Sequence, residues 1–78
     1  MTRSIAQPSR VETVLAALLY LMTAYQRTRC PAIAACVAAH LDCVVDHPGA
    51  DATIREVCAG MRKEWWGTAK AAPGKQIH

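Results

Sequence analysis

Residues 13–25, TVLAALLYLMTAY, run for thirteen positions without a charged side chain. Whatever this chain folds into must shelter that stretch. At 100° per residue, Val11, Val14, Leu15, Leu18, Leu19, Met22 and Tyr25 fall on one side of a helix, and Leu21 widens the stripe. The opposite side carries Thr13, Ala17, Tyr20 and Ala24, again with no charge. A helix apolar nearly all round is normally covered on more than one side. Two outcomes are open to it: a membrane, or protein on both flanks.

The dense apolar part, residues 14–25, is shorter than the roughly 20 residues a membrane span requires. Arg10 and Glu12 precede it and Gln26, Arg27 and Arg29 follow, with no small-residue cleavage pattern after the run. The expectation is therefore a buried helix and a protein without a membrane segment. Placed in the cytoplasm, its four cysteines would be reduced.

The rest of the chain supplies the cover. Pro8 and Ser9, with Glu12 three positions on, form a capping-box pattern that opens helix 1, expected over about residues 10–27. RTRC, residues 27–30, is a break, and Pro31 suits the first position of helix 2, where its missing amide costs nothing. Helix 2 is expected over residues 31–47, with Ile33, Val37, Leu41 and Val44 as its apolar stripe and Ala35, Ala38, Asp42 and Asp46 away from it. HPGAD, residues 47–51, reads as a turn, and Asp51 as the N-cap of helix 3. Ile54, Val57, Cys58, Met61 and Trp65 recur on one face of helix 3, expected over residues 52–66, with Gly67 as its C-terminal stop. Strand-like alternation is absent. The predicted architecture is all-α, a small three-helix bundle over residues 9–67, between a flexible N-terminal tail (1–8) and a flexible C-terminal tail (68–78).

A chain of 78 residues is one domain, and one this small buries only roughly 60% of its unfolded surface. It has no Phe and is rich in Ala, so its core is thin. Small scaffolds commonly need a staple: a disulfide, a metal or a partner chain.

The metal option rests on CVAAHLDCVVDH, residues 36–47, where Cys36, His40, Cys43 and His47 recur at steps of four, three and four. All four lie within about 60° of one another on a helix. Residues seven apart are separated by about 10.5 Å along the axis, too far to share a zinc ion bound at about 2.0–2.3 Å. One helix therefore offers pairs, Cys36 with His40 or Cys43 with His47, and needs Cys58, Cys30 or a second copy to complete a zinc or copper site. No CxxC spacing occurs. Free cysteine also behaves as a small hydrophobe, and His47 before Pro48 suits a helix end, so the leading expectation is packing, with no cofactor.

The partner option rests on helix 1. Its uncharged back, Thr13, Ala17, Tyr20 and Ala24, is the expected homodimer contact. Trp65 and Trp66 beside Arg62 are the expected site for another protein, since Trp and Arg dominate interface energies. The net charge of +3 permits a third reading, a helix-turn-helix with Arg55, Arg62 and Lys63 facing DNA. The first turn of helix 3 offers few base readers, so nucleic acid is the weaker expectation. Hydrolase elbows, phosphate loops and paired carboxylates are absent from the sequence. The function expected is non-enzymatic: a small cytoplasmic protein-interaction module, with metal binding and DNA binding as the alternatives.

Overall fold

The computed structural model describes residues 10–71. Three helices, α1 (Val11–Thr28), α2 (Pro31–Val45) and α3 (Ala52–Lys70), account for nearly all of it, and no strand occurs among the described residues. The all-α three-helix reading is correct. Ser9 and residues 1–8 and 72–78 lie outside the described residues.

The joints explain the helix ends. Arg10 stands at the N-cap of α1 without a side-chain cap bond. Its exposed guanidinium faces Glu12 at 3.7 Å, a pair of little energetic weight in water. At the other end Arg29 takes the left-handed conformation (φ 54°, ψ 29°), and its amide donates to the Tyr25 carbonyl. This is an αL cap made without glycine. The Arg29 guanidinium lies 5.7 Å from the centre of the Tyr25 ring, at cation–π distance. Pro31 then opens α2 as expected.

Between α2 and α3 the chain turns on His47, Pro48 and Gly49. The Ala50 amide donates to the His47 carbonyl at 3.2 Å, closing a four-residue turn with proline in its favoured second place. Asp51 caps α3, its Oδ1 accepting from the Ile54 amide at 2.9 Å.

Two expected boundaries move. α2 ends at Val45, so His47 belongs to the turn rather than the helix. α3 runs three residues past Gly67 to Lys70, placing residues 68–70 in the helix rather than in a tail. A terminating glycine acts by adopting positive φ, and no glycine does so among the described residues. Gly67 is an ordinary helical residue.

The middle helix is the support of the fold. α2 packs against both α1 and α3, while α1 and α3 barely touch each other. Val37, Leu41 and Val44 are its largest fully enclosed side chains, and Ala34 and Ala38 are enclosed as well. Ala38, expected off the stripe, is therefore core, because α2 is covered on two sides and its buried arc is wider than one stripe. Val11, Val14 and Leu18 of α1, Ala50 of the turn and Cys58 of α3 complete the buried set. Among the described residues no buried side chain is polar or charged.

Candidate interaction groove

Because α1 and α3 rest side by side on α2 without closing on each other, a channel remains between them. Leu15, Leu19 and Met22 form its α1 wall, and Ile54, Val57 and Met61 its α3 wall. Leu18, Leu41 and Cys58 make the floor. The space is about 460 Å³ and open to solvent, and its lining is apolar. Leu19 is 68% exposed and Val57 55% exposed, one on each lip. Both were expected in the core stripe. They fail to reach it because a helix resting on one neighbour buries an arc narrower than the apolar arc these helices carry.

Toward the C-terminal ends of α1 and α3 the two helices come into contact. There Tyr25 and Trp65 meet edge to face, ring centres 5.3 Å apart and planes at 79°. Offset and edge-on arrangements are the favoured ones for aromatic pairs. Trp65 thus serves as the contact between the two flanking helices.

Its neighbours Trp66 and Arg62 are tied to α2. The Trp66 Nε1–H donates to Asp42 Oδ2 at 3.2 Å, and Arg62 Nη1 donates to Asp42 Oδ1 at 3.1 Å. One carboxylate accepts from two α3 side chains, which sets the position of α3 along α2. Arg62, Trp65 and Trp66, the expected partner-binding residues, are all half-buried and engaged within the bundle, Trp65 on the apolar face where its stripe puts it.

The expected dimer face lies on the far side of α1 from the groove. Thr13 and Tyr20 are exposed there, Tyr20 by 73%, and Ala17 and Ala24 are half-buried.

The candidate metal ligands are not drawn together. Cys36 and Cys43 lie exposed on the outer surface of α2, and Cys58 is buried in α3. His40 Nδ1 sits 2.7 Å from the Cys36 carbonyl oxygen. A carbonyl only accepts, so that nitrogen carries the proton. His47 Nδ1 accepts from the Gly49 amide at 2.8 Å within the turn. Among the described residues no three of His, Cys, Asp and Glu are placed to hold one metal ion. Cys36, His40, Cys43, His47 and Cys58 therefore form no common site within one chain. The cause is the wide axial spacing along α2, with the helix end before His47. All four cysteines are free. Burial pushes the Cys58 thiol above its ordinary pKa, since the thiolate would lose its hydration.

The candidate DNA readers are also partly engaged. Arg55 Nη2 donates to the His47 carbonyl at 2.8 Å, so this side chain folds back on the turn, and Arg62 is held by Asp42. No helix among the described residues is long and apolar enough to cross a membrane.

Fold and site together define a helical bundle with an open apolar groove. Comparison with protein-family models, with curated proteins and with solved structures finds no match to this chain.

All nine of the groove residues named above were legible as apolar positions, but not as a groove. The usable signal was the breadth of the α1 arc. From Leu21 through Leu18 to Leu19 it covers about 160°, more than a single flanking helix hides.

Proposed function

We propose that this protein is a non-enzymatic helical interaction module that works as a homodimer in the cytoplasm. One observation carries the reading: the apolar groove between α1 and α3, with Leu19 and Val57 exposed on its lips. Single exposed hydrophobics are ordinary on a protein surface, whereas a contiguous apolar patch marks a place where something docks. Covering it is favourable by roughly 25 cal/mol for each Å² removed from water. A second copy is always available as the cover. It also relieves the thin core of so short a chain by extending that core across the interface.

Sedimentation equilibrium on the full chain tests this. The expected species has twice the 8.4 kDa subunit mass, and its population depends on concentration and hardly on salt, because apolar contacts are not screened. A chain still monomeric at about 1 mM, where association would be worth less than about 4 kcal/mol, ends the proposal.

A further inference from the structure

We infer that the second copy docks by the groove itself. Leu19 of each chain enters the groove of the other, and α1 and α3 of the two chains form a four-helix layer about a two-fold axis. The inference rests on the homodimer reading and deepens it by assigning the surface.

Three observations carry it. First, the lining has no charged member. A two-fold contact sets every residue of a patch against the same patch, and here that juxtaposition meets no like-charge repulsion. Second, the seams have the right period. Leu15, Leu19 and Met22 are spaced four and three apart, and Ile54, Val57 and Met61 three and four apart. Both are rows that interdigitate with another helix. Third, the shape is complementary to itself. The groove is a channel too large for one side chain to fill, and Leu19 and Val57 stand out beside it. The opposite face of α1 offers only Tyr20 as a large exposed side chain, among Thr13, Ala17 and Ala24.

The test compares the mass of the full chain with that of Leu19→Glu and Tyr20→Glu by light scattering, with circular dichroism to confirm the fold. Both positions are mostly exposed in the single chain, so the substitutions leave the bundle's own core intact. The expected result is a dimeric parent, a dimeric Tyr20→Glu and a folded, monomeric Leu19→Glu whose self-association is weakened at least a hundredfold. A dimeric Leu19→Glu overturns the inference and leaves the homodimer reading standing. A monomeric Tyr20→Glu assigns the dimer to the other face of α1 and also overturns it. A monomeric parent overturns both readings and leaves the groove to a helix of another protein. If Leu19→Glu fails to fold, Val57→Lys on the opposite lip decides. A monomer supports the groove contact, and a dimer overturns it.

Discussion

The carboxylate of Asp42 is the best place to probe how α3 is held on α2. It accepts from Arg62 at 3.1 Å and from the Trp66 indole at 3.2 Å. The ion pair is 39% and 37% exposed on its two sides, so water screens it and its share is about 0.5 kcal/mol. The indole hydrogen bond to a charged acceptor adds roughly 1–1.5 kcal/mol. Asp42→Ala removes both, while alanine's better helix propensity returns about 0.5 kcal/mol. The net expected loss is about 1–1.5 kcal/mol, or about 5–10 °C in Tm for a domain of this size. Urea unfolding followed by helical circular dichroism at fixed protein concentration measures it, since dimerisation would make stability concentration-dependent. A double-mutant cycle with Trp66→Phe, which keeps the ring and removes the donor, isolates the indole bond. Coupling of roughly 1 kcal/mol is expected. Coupling within about 0.3 kcal/mol of zero, the scatter of independent sites, would show that the Asp42–Trp66 contact holds nothing.

Two further outcomes follow from the same structure. Gly67→Ala should raise stability by about 0.5 kcal/mol, because Gly67 is helical, in the last turn of α3, and a Cβ there meets nothing within 4 Å; a loss would show that a special backbone conformation is needed at that position. Cys36 and Cys43 should react with a thiol reagent at once, and Cys58 only as fast as the bundle opens. The raised Cys58 pKa also sets a sign. The unfolded chain releases that proton at lower pH than the folded one, so Cys58 contributes stability that is intact below the ordinary thiol pKa and lost as pH rises toward the folded value. Denaturation midpoints on either side of the thiol range, compared between the parent and Cys58→Ala, should show the alkaline fall only in the parent.

The helices could be read from local rules because their signals are local. Pro31 and Asp51 act within one turn of where they stand, and both open the helices they were expected to open. The misreadings have tertiary causes. Ala38 is fully enclosed because two helices converge on α2, and alanine carries no mark to say so. Trp66 was legible as a rim residue, but its acceptor stands 24 positions away, beyond the reach of any periodicity. The groove is the same kind of case. That α1 has apolar surface to spare is written in residues 13–25; which flank stays uncovered depends on where α3 comes to rest. The Cys/His steps along α2 are regular, yet regular spacing along one helix spreads donors over its length instead of gathering them.

The enclosed alanines of α2 have a mechanical consequence. α1 and α3 lean on a common spine like two jaws on one hinge block, and the thickness of that block sets their gap. Ala34 and Ala38 are fully enclosed, so a bulkier residue at either must displace a neighbour. The gape can thus be adjusted from behind, by residues that never face whatever the jaws close upon.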